Sequence, residues 1–214
     1  MDAGILPVKA LDRAKERLSS HFGPAERRRI ADALLEDALE LCASVEFLTW
    51  WVVSDDDKVL QRAETRGFTP VRDEGEGLNP ALHHAIGAAL AAGADSVAVI
   101  PCDTPLAFRG DLVDLLDTGA TSDVVVVPSE KDGGTNGLYI SPPDLIAPNF
   151  GEGSFRRHLA LAEKGGYRCA LLSLPRLALD LDTVEDIRDY IGRPKHASSH
   201  TSEVLEELQQ LVAD

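Results

Sequence analysis

Apolar positions follow two periodicities that alternate along the whole chain. Gly4–Val8 is a short apolar run of buried-strand length. From Pro24 to Ala43, Ile30, Ala33, Leu34, Ala38 and Leu41 return at helical spacing, and Pro24 suits a first turn. Phe47–Val53, rich in aromatic and β-branched residues, predicts a second strand. Asp57–Arg66 predicts a short helix and Thr69–Val71 a brief strand. Asn79–Ala92 is an alanine-rich helix, Ser96–Ile100 an apolar strand ended by Pro101, and Gly110–Asp117 a helix. The valines of Asp123–Val127 suit a strand covered on both faces. Gly137–Ile140 is a further strand, and Ser154–Lys164, Cys169–Leu174 and Val184–Ile191 read helix, strand, helix. A polar, loose stretch, Gly192–His200, leads to a terminal helix, Ser202–Val212, with Ser202 as its cap.

Such alternation predicts one α/β domain over residues 1–192, a doubly wound, mostly parallel sheet with helices on both faces. Residues 193–214 then form a polar tail with a terminal helix. Ligands of such sheets bind beyond the carboxyl ends of the strands. The polar segments that follow strands are therefore the candidate site.

Composition narrows the function classes. A chain of 214 residues, 44% hydrophobic and 27% charged, is long enough to bury a core without a disulfide or structural metal. The net charge of −15 and the lack of a basic stripe with interleaved aromatics exclude nucleic acid as an expected partner. No apolar segment approaches the roughly 20 residues that span a bilayer, and Met1-Asp2 leads directly into the first strand. A cytoplasmic protein with no membrane partner is the expectation. Cys42, Cys102 and Cys169 lie in apolar stretches without metal or redox spacing, and are expected to be buried, reduced thiols.

Five segments could carry chemistry. Lys9, Arg13, Lys15 and Arg17 crowd the stretch after the first strand. Four cations there could grip a triphosphate, although the same charges also suit a solvated helix. Asp73-Glu74-Gly75-Glu76-Gly77-Leu78-Asn79 has glycines that allow close approach to a ligand, and Asn79 could cap the next helix or bond a nucleoside. Asp103 follows a buried strand between Pro101 and Pro105 and is placed to hold a divalent cation. Asp180-Leu181-Asp182 aims two carboxylates to one side of an extended chain. Finally, Lys131–Gly137 and Phe150–Ser154 have the glycines and small hydroxyls of anion-binding turns. Asp55-Asp56-Asp57 reads as a helix start, not a metal cluster.

Taken in order, these segments resemble the CofC/FbiD family of guanylyltransferases, which makes the guanylylated precursor of coenzyme F-420. The resemblance rests on Pro7-Val8-Lys9, Arg13-Ala14-Lys15, Arg17-Leu18, Leu78-Asn79, Asp103 before Pro105-Leu106, Gly134-Thr135-Asn136, Phe150-Gly151 with Ser154, and Asp180-Leu181-Asp182-Thr183. It implies a nucleotidyltransferase fold like that of the molybdenum-cofactor guanylyltransferases. It also implies GTP as donor, Mg²⁺ (or Mn²⁺) as cofactor and, in some members, a homodimer. The acceptor would be a phosphorylated three-carbon acid: phosphoenolpyruvate, 2-phospho-L-lactate or 3-phosphoglycerate. By this resemblance Asp103, Asp180 and Asp182 lie at the metal, and Thr135, Gly151 and Ser154 line the acceptor. Lys9, Arg13, Lys15 and Arg17 face the triphosphate, the first three as catalytic groups, and Leu78 and Asn79 face the nucleoside. Rival readings are another metal-dependent nucleotidyl- or glycosyltransferase of the same fold, or a nucleotide-sensing module without catalysis.

Overall fold

The computed structural model describes residues 1–75, 77–194 and 199–212. Seven strands form one sheet: β1 (Asp2–Pro7), β2 (Thr49–Ser54), β3 (Thr69–Arg72), β4 (Ser96–Val99), β5 (Val124–Pro128), β6 (Thr135–Ile140) and β7 (Cys169–Leu171). Their order is β3-β2-β1-β4-β6-β5-β7. The pairs β1–β2, β1–β4, β2–β3 and β5–β7 are parallel, whereas β6 runs antiparallel to both β4 and β5. The expected mostly parallel, doubly wound sheet is present, with one reversed strand.

Strand alternation divides the core. Trp50, Val52, Ala98, Ile100, Val125 and Val127 face α1 (Pro24–Ser44), α2 (Asp57–Thr65) and α4 (Arg109–Gly119). Trp51, Val53, Val97, Val99, Val124 and Val126 face α3 (Leu78–Ala91) and α5 (Ser154–Gly165). Gly4 lies beneath the Trp50 indole, where a Cβ would come within 2.4 Å of the ring. Only glycine lets β1 run there.

The chain end is part of this body. Helices α6 (Val184–Gly192) and α7 (His200–Val212) bring Ile187, Tyr190, Leu205 and Leu208 against Ile30 and Leu34 of α1. A fully buried leucine contributes about 1.5–3 kcal/mol, so α7 is held by packing. Its start is also capped differently from expectation. The amides of His200 and Thr201 donate to the Asp37 carboxylate at 2.8 and 3.0 Å. Ser202 is buried inside the helix, and its amide donates to Ser199 Oγ. Of the predicted loose stretch, residues 195–198 lie outside the described residues. The cysteine expectation holds for Cys42, but Cys102 is half-buried and Cys169 is exposed, because β7 is an edge strand. No helix among the described residues is long and apolar enough to cross a membrane.

Candidate functional site

The chain leaves β1 for β2 and β3 on one side, then crosses back to β4 on the other. A crevice opens at such a reversal, beyond the carboxyl ends of the strands. Here it is a cavity of about 700 Å³ lined by Lys9, Arg13, Lys15, Arg17, Leu78, Asp103 and Asp182 from the predicted set. Val8, Leu11, Ala31, Leu34, Val53 and Ala81 supply an apolar wall. An apolar wall with a charged rim suits a flat base carrying an anionic tail.

The basic segment after β1 is not one helix. Two short 3₁₀ turns, Leu11–Arg13 and Glu16–Leu18, are pinned by buried Leu11 and Leu18. Lys15 between them has φ 56°, the described non-glycine residue in the left-handed region. That conformation costs of order 1–2 kcal/mol, and it turns the Lys15 side chain inward. Its ammonium donates to Asp103 Oδ2 at 2.7 Å and to Asp182 Oδ1 at 2.8 Å. Burial works against the charge, but the two carboxylates outweigh it and hold the Lys15 pKa above its ordinary value. Arg17 reaches Asp182 at 3.6 Å. Arg13 pairs with Asp55. Lys9 is exposed and makes no ion pair among the described residues.

The carboxylates come together through the backbone. The amide of Leu181 donates to the Asp103 carbonyl at 2.9 Å, laying the Asp180-Leu181-Asp182 segment beside the β4 end. The two outer aspartates then diverge. Asp182 meets Lys15, whereas Asp180 accepts from Ser129 Oγ at 3.2 Å and Asn136 Nδ2 at 3.1 Å. Burial pushes the Asp180 pKa up, and the charges of Asp103 and Asp182 add to the rise. The expectation that Asp180 and Asp182 aim to one side is therefore not met: Asp182 turns to Lys15 and Asp180 to Ser129 and Asn136. The Lys15 ammonium shows that Asp103 and Asp182 can share one positive charge, and carboxylate oxygens are the donors a hard divalent cation takes; among the described residues Asp180 does not close with them into one three-acid cluster.

Antiparallel β6 starts where β4 ends, since Val99 pairs with Leu138. Thr135 and Asn136 therefore reach the same rim. Ser154 Oγ donates to Thr135 Oγ1 at 3.2 Å, and His158 Nδ1 lies 3.0 Å from the same oxygen. The Asn149 amide donates to His158 Nε2 at 3.1 Å, so Nδ1 carries the ring proton and Thr135 is its acceptor. Burial holds the His158 pKa at about 4. Gly151, with φ 113°, and Gly153, with φ 68°, shape the turn into α5. Thr135, Gly151, Ser154 and Asp180 lie beside the cavity, not among its lining residues.

Four readings need correction or extension. Gly77 precedes α3, so Asn79 is not its cap. Nor does Asn79 turn its amide to the cavity: Nδ2 donates to the Phe150 carbonyl at 3.1 Å, and Oδ1 accepts from the Phe150 amide at 2.7 Å. Asp55 and Asp73 line the cavity although neither was singled out as a site residue. Asp56 caps α2 as expected of a helix start, but Asp55 directly follows β2, the position that marks a rim. In the Lys131–Gly137 turn, Asp132 Oδ1 takes the Gly134 amide at 2.7 Å and Lys131 pairs with Asp186 and Asp189, so turn chemistry accounts for its polar groups.

The model of the family described as "Guanylyl transferase CofC like" matches residues 2–212. The chain belongs to this family. It is 36% identical over 211 residues to a phosphoenolpyruvate guanylyltransferase of Conexibacter woesei, covering 95% of each chain. It is 34% identical over 210 residues to a 2-phospho-L-lactate guanylyltransferase of Methanothermobacter thermautotrophicus, covering 97% of this chain and 91% of the relative. A solved structure from Desulfovibrio desulfuricans G20, assigned to the nucleotide-diphospho-sugar transferases, superposes with a TM-score of 0.81 at 18% identity over 99% and 96% of the two chains. That likeness establishes the nucleotidyltransferase fold.

Proposed function

We propose that this member of the family transfers GMP from GTP to a small acid carrying a phosphate beside its carboxylate, and releases pyrophosphate. Phosphoenolpyruvate and 2-phospho-L-lactate are the acceptors this reading favours, in assembly of the coenzyme F-420 precursor. The observation that carries it is Lys15 held between Asp103 and Asp182 at the mouth of an apolar cavity. The guanine would lie in the cavity near Leu78, and the triphosphate along Lys9, Arg13, Lys15 and Arg17. Thr135, Gly151 and Ser154 would receive the acceptor.

An acceptor phosphate oxygen attacks the α-phosphorus of GTP, the bond to the bridging oxygen breaks, and pyrophosphate leaves with that oxygen. The nucleophile is already anionic, so no general base is required. Repulsion between two polyanions dominates the barrier, and fixed positive groups at the developing charge lower it. Asp103, Asp180 and Asp182 would hold Mg²⁺ or Mn²⁺. Such a cation, when bound, neutralises phosphate charge and orients the reacting oxygens. Arg13 and Arg17 offer bidentate contacts to phosphate, and Lys9 is an exposed point charge with no ion pair among the described residues.

The test is a panel of phosphorylated three-carbon acids incubated with GTP and Mg²⁺, with pyrophosphate release followed and products weighed by mass spectrometry. The reading expects a product heavier than the acceptor by one guanylyl group. Pyrophosphate release from CTP or UTP in preference to GTP, or from no acceptor at all, overturns it.

A further inference from the structure

We infer that Asn79 is a positioning residue for the acceptor loop, and that it couples this loop to the nucleotide cavity. The inference rests on the assignment of Gly151 and Ser154 to the acceptor. Asn79 and Phe150 are 71 residues apart, yet the Asn79 amide makes both hydrogen bonds of a strand-like pair with one residue, at 2.7 and 3.1 Å. Both ends of the carboxamide are held by main chain of one residue, which fixes its orientation toward Phe150.

The two ends of this contact belong to different parts of the site. Asn79 is the second residue of α3, directly after Leu78 and Gly77, which line the cavity. Phe150 directly precedes Gly151 and the turn that sets Ser154 against Thr135. Other ties hold that turn to its own helix. Arg157 Nε donates to Asn149 Oδ1 at 2.8 Å and its Nη2 to the Phe150 carbonyl at 3.3 Å, while His158 takes the Asn149 amide. Asn79 instead ties the turn to α3, whose first residue lines the cavity. A nucleotide seated against Gly77 and Leu78 steadies the first turn of α3, and Asn79 passes that restraint to the acceptor loop. Linkage makes the effect mutual: bound nucleotide raises acceptor affinity and the acceptor raises nucleotide affinity.

The experiment compares wild type with Asn79→Ala in the full-length protein. Steady-state KM is read for GTP and for the acceptor, alongside melting temperature and hydrogen exchange of the ligand-free 149–154 segment. The expected result is an acceptor KM raised about tenfold or more, a GTP KM within about twofold at low acceptor, and faster exchange confined to 149–154. If the alanine variant does not fold, Asn79→Asp keeps the size and the Oδ1 acceptor but sets a second oxygen against the Phe150 carbonyl, and carries the same expectation. A raised GTP KM with unchanged acceptor KM would make Asn79 a nucleoside reader and overturn the inference. Unchanged exchange at 149–154 overturns it as well. Should wild type transfer GMP to no acceptor, the proposed reaction falls, whereas the exchange measurement still decides the latch.

Discussion

Lys15 and Asp103 are 88 residues apart in sequence, yet the ammonium stands 2.7 Å from the carboxylate with a lysine side chain only 7% exposed. A second carboxylate, Asp182, closes the other side at 2.8 Å. Lysine here acts as a cation fixed between the segments after β1, after β4 and before α6. Lys15→Met removes the charge and leaves the two acids facing one another. The expected loss in kcat/KM is about a hundredfold or more, the scale of deleting one fixed positive donor at a developing charge. Lys15→Arg is not expected to restore activity, because a planar fork does not replace a point charge held between two oxygens in a left-handed turn. Near-normal turnover in Lys15→Met would remove Lys15 from the reaction, whereas in Lys15→Arg it would show that the site needs the charge and not its point-like shape.

Asp103→Asn is expected to abolish measurable turnover, since it strips charge from the proposed metal site. Asp180 separates function from folding more cleanly. Burial and its two acidic neighbours already disfavour its charge. An asparagine there relieves repulsion while the hydrogen bond from Ser129 Oγ remains available. Asp180→Asn should therefore melt at or above the wild-type temperature and lose about a hundredfold in activity, a trade expected where a strained polar site serves function. A variant that is both destabilised and active would show Asp180 to be structural.

The sheet was legible because its signals are local. Valine runs, alanine-rich helices and strand-ending prolines fix elements through steric and burial preferences that neighbouring residues share. Asp103 was legible for a similar reason, since it follows an apolar strand that must end at a rim, and Asp182 through the alternating Asp180-Leu181-Asp182 pattern. The reversal of β6 left no such mark, since a buried strand has the same composition in either direction. Lys15 between its two acids, the Asn79–Phe150 pair and the Asp37 cap on α7 depend on contacts between segments 70 to 170 residues apart. No periodicity encodes which loop a side chain will meet. Asp55 illustrates the ambiguity, because three consecutive aspartates look alike while only one of them turns into the cavity beside Arg13.

His158 gives the stability a pH dependence with a definite sign. Burial keeps it neutral, with its pKa at about 4 against an ordinary 6.5. Because the folded value is the lower one, the unfolded chain takes up the proton first as pH falls. The stabilisation is full above pH 6.5 and declines between there and about 4. At 1.36 kcal/mol per unit the range is about 3 kcal/mol. Chemical denaturation of wild type and His158→Gln across this interval should show the wild-type curve falling more steeply. Parallel curves would mean that the ring is protonated in the folded protein.

Asp186 holds the aspartate-rich loop in place. Its buried Oδ2 takes the amides of Asp182 and Thr183 at 3.0 and 2.6 Å and the Thr183 hydroxyl at 2.8 Å, while Oδ1 takes Lys131 at 2.8 Å. Burial opposes its charge, but Lys131 and the Thr183 donors prevail and lower its pKa. Its contribution is therefore present above the ordinary carboxylate value of 3.8 and is lost as pH falls through the lower folded value. Asp186→Asn keeps the shape but puts an N–H₂ against one set of these donors and leaves Lys131 without its charge partner there. The expected cost is about 3 kcal/mol, the scale of breaking a buried, hydrogen-bonded charge. Activity should fall in folded protein too, because Asp182 loses the bond that fixes its main chain. Lys131→Met removes only the half-exposed partner and should cost less, about 1 kcal/mol. A double-mutant cycle on unfolding free energy separates the pair from the loop: full additivity of the two changes would show that the ion pair contributes nothing and that the Thr183 bonds alone hold the segment.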